Sequence, residues 1–89
     1  MSALRVVVIG RVQGVGFRFF AERAARELGV RGWVRNRPDG SVETLVEGDD
    51  DAVRRYIDQL RQGPRLSRVD AVEVAEAPAK GLTSFEITG

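Results

Sequence analysis

Hydrophobic positions along this chain alternate between strand-like runs and helical stripes. Leu4 to Ile9 is almost wholly apolar, with Leu4, Val6 and Val8 on one face and Val7 and Ile9 on the other. A strand apolar on both faces is expected near the middle of a sheet. From Phe17 to Leu28 the period becomes helical. Phe17, Phe20, Ala21, Ala24 and Leu28 form a stripe that predicts core. Arg18, Glu22, Arg23, Arg26 and Glu27 fill the other side, with Glu22 and Arg26 an i,i+4 pair and Gly29 placed to cap the end.

Arg31 to Asn36 reads as a short strand with Val34 inward. Arg37-Pro38-Asp39-Gly40 is a turn, because proline presets φ and glycine accepts a positive one. Ser41 to Glu47 alternates Val42, Thr44 and Val46 against Glu43, Leu45 and Glu47, which predicts a half-buried hairpin strand. Val53, Tyr56, Ile57 and Leu60 repeat at helical spacing, so a second helix follows Gly48, with Asp49-Asp50-Asp51 at its start and Gly63-Pro64 at its end. The aspartates lack the alternating spacing and late glutamate of a calcium loop. An N-cap with a favourable helix-dipole interaction accounts for them. Val69 to Val74 is a fourth strand, 75–82 a loop, and Phe85 and Ile87 mark a short last strand.

The order β-α-β-β-α-β plus a short final strand predicts an α+β, ferredoxin-like two-layer sandwich, with two helices on one face of an antiparallel sheet. The whole chain, 1–89, is expected to be a single domain. In a split β-α-β unit the first two strands run parallel, with the third between them. Their carboxyl ends then share one edge, which brings the turn after the first strand close to Asn36. Asn36 shares parity with Val34, so its carboxamide is expected on the helix side. The plainer reading of Asn36 is a turn-forming residue of the hairpin.

The turn after the first strand is Gly10-Arg11-Val12-Gln13-Gly14-Val15-Gly16, leading into Phe17-Arg18. Glycines here permit positive φ and close approach to the main chain. A turn into a helix leaves N–H groups unpaired at the positive end of the dipole, which favours an anion. Arg18 adds a planar fork of donors suited to phosphate, at a helix end where an arginine is otherwise unfavourable. The plain alternative is a glycine-rich turn whose arginine points into water. A Walker loop is excluded, since Gly16 is followed by Phe17-Arg18 rather than Lys-Ser/Thr. A dinucleotide fingerprint is excluded because Phe19 stands where its third glycine belongs.

The string Gly10-Arg11-Val12-Gln13-Gly14-Val15-Gly16-Phe17-Arg18 resembles the signature of the acylphosphatases, enzymes that hydrolyse carboxyl-phosphate anhydrides. Gly32-Trp33-Val34-Arg35-Asn36, followed by Pro38-Asp39-Gly40-Ser41-Val42-Glu43, resembles the family's second signature. The resemblance implies that Arg18 and the amides of Gln13, Gly14, Val15, Gly16, Phe17 and Arg18 hold the phosphate. It implies that Asn36 orients the attacking water. Arg11, Arg35 and Arg37 could add a positive rim, although ordinary surface arginine accounts for each.

Composition narrows the chemistry further. The chain has no cysteine and no histidine, which removes thiolate nucleophiles, the usual general base and the commonest metal ligand. Amides, a guanidinium and a carboxamide can hold a phosphate and place a water, but they supply no strong base. Phosphoryl transfer tolerates this set if the leaving group is good. A carboxylate, with a conjugate acid near pKa of about 4, leaves without protonation, whereas an alkoxide would not. No cofactor or metal is therefore expected, and the expected partner is a small-molecule acyl phosphate.

A net charge of +1 argues against nucleic acid as a partner. An RNA-binding sheet of this fold would also carry aromatics on its open face, and the third strand has none. A non-catalytic phosphate-binding module remains the other reading, with acylphosphatase-like domains of larger carbamoyl-phosphate-handling proteins as the related case. No apolar run reaches spanning length and no leader is evident, so a cytoplasmic protein with no membrane association is expected. A monomer is the expected state.

Overall fold

A computed structural model describes residues Met1–Gly89. The elements are β1 (Ser2–Arg11), α1 (Phe17–Leu28), β2 (Arg31–Asn36), β3 (Val42–Gly48), α2 (Asp50–Gln62), β4 (Arg68–Glu76) and β5 (Phe85–Thr88). They form one sheet in the order β4-β1-β3-β2-β5. β3 pairs antiparallel with both β1 and β2, so β1 and β2 run parallel on either side of it, as the split β-α-β pattern requires. β4 adds antiparallel to β1, and β5 adds parallel to β2. The short last strand therefore makes the sheet mixed rather than purely antiparallel.

Both helices pack on one face, α1 over β2 and β5 and α2 over β1, β3 and β4. The core lies between the layers and contains Val6, Val8, Phe17, Ala21, Ala24, Val34, Val42, Val46, Val53, Tyr56, Ile57 and Leu60. These are the positions the two periodicities select, with Leu4, Phe20 and Leu28 only half-buried at the margin. The Tyr56 hydroxyl is buried and meets Thr44 Oγ1 at 2.8 Å, and Thr44 Oγ1 donates to the Trp33 carbonyl at 2.7 Å. Burial pushes the Tyr56 pKa up.

The outer face of β3 differs from the half-buried expectation, because every residue of β3 is buried. The topology explains the cover. β4 and β5 lie on opposite edges, so the chain between them must traverse the sheet, and it does so over the open face. Ala77 N donates to Ala3 O on β1 at 3.1 Å, and Gly32 N on β2 donates to Ser84 O at 2.9 Å. Between these ties, Lys80 N and Leu82 N donate to the Glu47 carboxylate of β3. Beside this crossing, Glu43 is held between Arg5 at 3.1 Å and Arg35 at 2.6 Å.

The aspartate run also differs in detail. Asp49 occupies the N-cap of α2 without a side-chain capping bond, and Asp50 and Asp51 lie in the first turn, where the dipole favours them. Asp50 accepts from the Ser2 hydroxyl, which together with the N-terminal ammonium lowers its pKa. Gly10 sits where the β1–β4 register shifts, at φ 139°, and a Cβ there would overlap the Arg68 carbonyl oxygen. The pairing resumes in the shifted register through Gly10 and Arg11, opposite Val69 and Arg68, and the chain then leaves the sheet toward α1.

Candidate active site

The carboxyl ends of β1 and β2 open onto a small cleft lined by Val12, Gly14, Gly16, Phe17, Arg18, Phe19 and Asn36. Its volume of about 200 Å³ lies below the roughly 300–1,000 Å³ of drug-sized sites, so it suits a phosphoryl group with a modest substituent.

The floor is main chain. Gly14 and Gly16 hold φ at 74° and 79°, a left-handed conformation that other residues adopt only at a cost. No atom stands within 4 Å of where a Cβ would sit on either glycine, so the backbone is bare on that side. Gly16 is the N-cap of α1, and the first helical bond runs from Phe20 N to Gly16 O at 3.0 Å. None of the N–H groups from Gln13 to Phe19 donates to a backbone or side-chain acceptor within the chain. The first turn of α1 has no acidic residue to complement the dipole.

Arg18 rises from that first turn, half-buried and without a carboxylate partner. Asn36 closes the other side from the last position of β2. Eighteen residues apart in sequence, the two side chains line one cleft because β1 and β2 are parallel and end together. No buried side-chain polar atom lacks a partner, so the free donors of Arg18 and Asn36 are open to solvent.

The hairpin turn beside the cleft does not use the Asn36 side chain. Arg37 N donates to Ser41 O at 2.9 Å and Gly40 N to Arg37 O at 3.1 Å. Ser41 N and Oγ both donate to Asp39, which lowers the Asp39 pKa, the hydroxyl contributing most.

Of the residues singled out from sequence, Gly14, Gly16, Phe17, Arg18 and Asn36 line the cleft, while Gln13 and Val15 do not. Val15 packs its side chain against the core. The Gln13 carboxamide turns toward the hairpin and donates to Arg37 O at 2.8 Å and Ser41 O at 2.9 Å. It thereby ties the glycine turn to the strand end that carries Asn36. Arg35 belongs to the opposite face, over Trp33 at 5.3 Å and against Glu43, and Arg37 pairs with Asp39 at 3.7 Å. Neither adds to the cleft lining. Phe19 escaped the sequence reading because it lies off the apolar stripe of α1; an aromatic next to Arg18 in the first turn was the available signal.

A ferredoxin-like sandwich with a bare main-chain turn, a guanidinium and a carboxamide at one sheet edge is a small α+β protein whose cleft is suited to an anion. Comparison with known proteins specifies it: the acylphosphatase family model matches residues 4–87, and the chain belongs to that family. The acylphosphatase of a Nocardioides species is 51% identical over 86 residues, covering 97% of this chain and 87% of the relative. The crystal structure of Bacillus subtilis acylphosphatase superposes with a TM-score of 0.97 at 39% identity, with both chains fully covered. A full-length HypF crystallised in a phosphate- and nucleotide-bound form matches with a TM-score of 0.88 at 30% identity, over 99% of this chain and 12% of that one. This protein is a hydrolase of acyl phosphates.

Proposed function

We propose that the cleft hydrolyses acyl phosphates by direct in-line attack of water on phosphorus. The N–H groups between Gln13 and Arg18 and the Arg18 guanidinium hold the phosphoryl oxygens, and Asn36 orients the water. The observation that carries this reading is the meeting of Arg18 and Asn36, both without protein partners, above a run of unpaired N–H groups. Such donors stabilise the charge that a loose phosphoryl transition state spreads over its equatorial oxygens.

In the step itself, the water oxygen bonds to phosphorus as the bond from phosphorus to the bridging oxygen breaks. The bridging electron pair leaves on the carboxylate. The water proton passes to a phosphoryl oxygen, giving carboxylate and dihydrogen phosphate. The cleft lining holds no carboxylate, so no protein base takes part in this step.

The turn's own hydrogen bonds free Asn36 from a structural role, which makes Asn36→Ala the discriminating variant. Its melting temperature and affinity for inorganic phosphate should stay near wild type, while turnover of acetyl phosphate falls on the order of a hundredfold or more. Retained turnover in a less stable protein would return Asn36 to the hairpin. Equal loss of phosphate affinity and turnover would make it a binding residue.

A further inference from the structure

Phe19 is an aromatic side chain 69% exposed to solvent, and it lines the cleft together with Arg18 and Asn36. The other two apolar lining residues, Val12 and Phe17, are buried at 1% and 2% exposure and have almost no surface left to offer. Phe19 therefore holds nearly all the apolar area that a ligand in this cleft could cover. It cannot turn into the core, because Phe17, Ala21 and Ala24 already fill the inward stripe of α1. Nor does it pack against another ring, as Phe17 does against Phe20 in a tilted pair at 5.9 Å.

We propose that Phe19 is the acyl-group contact of the site and sets a preference for acyl phosphates with apolar or aromatic acyl groups. The inference rests on the reaction assigned above. In an acyl phosphate, one bridging oxygen separates phosphorus from the acyl carbon. A phosphoryl group seated on the Gly14–Arg18 main chain thus brings its acyl substituent to the rim of the cleft. In-line displacement sends the leaving carboxylate away from the attacking water. Asn36 brings that water from β2, which leaves the α1 side, where Phe19 stands, for the acyl group. A flat ring or alkyl chain there covers aromatic surface otherwise in water, an arrangement favourable for offset or edge contacts. A methyl group covers little of it. Arg18 and Phe19, adjacent in one helical turn, divide the substrate between them: the guanidinium takes the phosphoryl end and the ring takes the acyl end.

The test compares benzoyl phosphate with acetyl phosphate in wild type, Phe19→Ala and Phe19→Tyr. Wild type should prefer benzoyl phosphate in kcat/KM. Phe19→Ala should lower the benzoyl-to-acetyl ratio about fivefold to tenfold, mainly through KM for benzoyl phosphate. Phe19→Tyr, which keeps the ring, should retain the ratio. Competitive inhibition by inorganic phosphate, which has no acyl group, should match wild type in both variants. A ratio unchanged in Phe19→Ala, or a parallel loss for both substrates and for phosphate inhibition, would overturn the assignment of Phe19 while leaving the reaction intact. Failure of wild type to turn over either substrate would overturn the reaction assigned to the cleft, and this inference with it.

Discussion

Arg18 is a cation in the first turn of α1, where the helix dipole disfavours it and no carboxylate offsets it. A cation at such a place is offset when its partner is a substrate anion. The planar fork can take two phosphoryl oxygens at once, which an ammonium cannot. Arg18→Lys should therefore lower kcat/KM for acetyl phosphate by about a hundredfold or more, although the charge is kept. A loss within about threefold, or roughly 0.6 kcal/mol, would remove Arg18 from the proposed role. That Arg18 and Asn36 line one cleft was legible in sequence, because position in the turn, parallel strand ends and strand parity pointed the same way. Phe19 was not, since its value depends on which neighbours already fill the core. The direction of the Gln13 side chain was not legible either, because it depends on carbonyls of a hairpin twenty-four residues on.

At the level of elements, the site joins the β1–α1 turn to the β2–β3 hairpin, and Gln13 is the side chain that bridges them. Gln13→Ala removes two bonds to carbonyls that each keep another donor, Gly40 N on Arg37 O and Arg37 N on Ser41 O. No acceptor is left stranded, so the stability cost should be modest, about 1 kcal/mol. Turnover should fall more than phosphate affinity, because the loop keeps its amides while its spacing to Asn36 loosens. Equal losses in both would make Gln13 merely structural.

The crossing segment over the open sheet face depends similarly on Glu47, which is fully buried and accepts from Lys80 N and Leu82 N. The Lys80 bond, then the Leu82 bond, holds the Glu47 pKa below its ordinary value of 4.5. A carboxylate whose pKa is lowered by folding stabilises the fold fully above its unfolded pKa and loses that contribution as pH falls through the folded one. Melting temperature should thus decline below about pH 4.5, and the decline should be shallower in Glu47→Gln, which should also melt lower at neutral pH. Parallel acid limbs in the two proteins would show that Glu47 does not carry this dependence. The residues of this clamp lie at the sheet end away from the cleft, paired with Ala3 and Arg31, so turnover at neutral pH tests whether stability and catalysis separate.

Across the whole molecule, the ferredoxin-like order was legible because each helix and strand carried its own period and each turn its own glycine or proline. The parallel relation of β1 and β2 followed from connectivity, and that relation assembles the site. The cover on the outer face was not legible. It arises because β4 and β5 occupy opposite edges, a fact of strand order that a loop of alanine, proline and glycine does not announce. The same architecture supplies every donor of the cradle from the chain itself, so chelation with EDTA should leave turnover of acetyl phosphate unchanged. Loss of activity on chelation, restored by a divalent cation, would assign part of the charge stabilisation to a metal. The central claim is that water attacks phosphorus, not the acyl carbon. Hydrolysing acetyl phosphate in water enriched in heavy oxygen, with mass analysis of both products, tests it most directly. The cleft geometry predicts label in the phosphate and none in the acetate; label in the acetate would contradict the account.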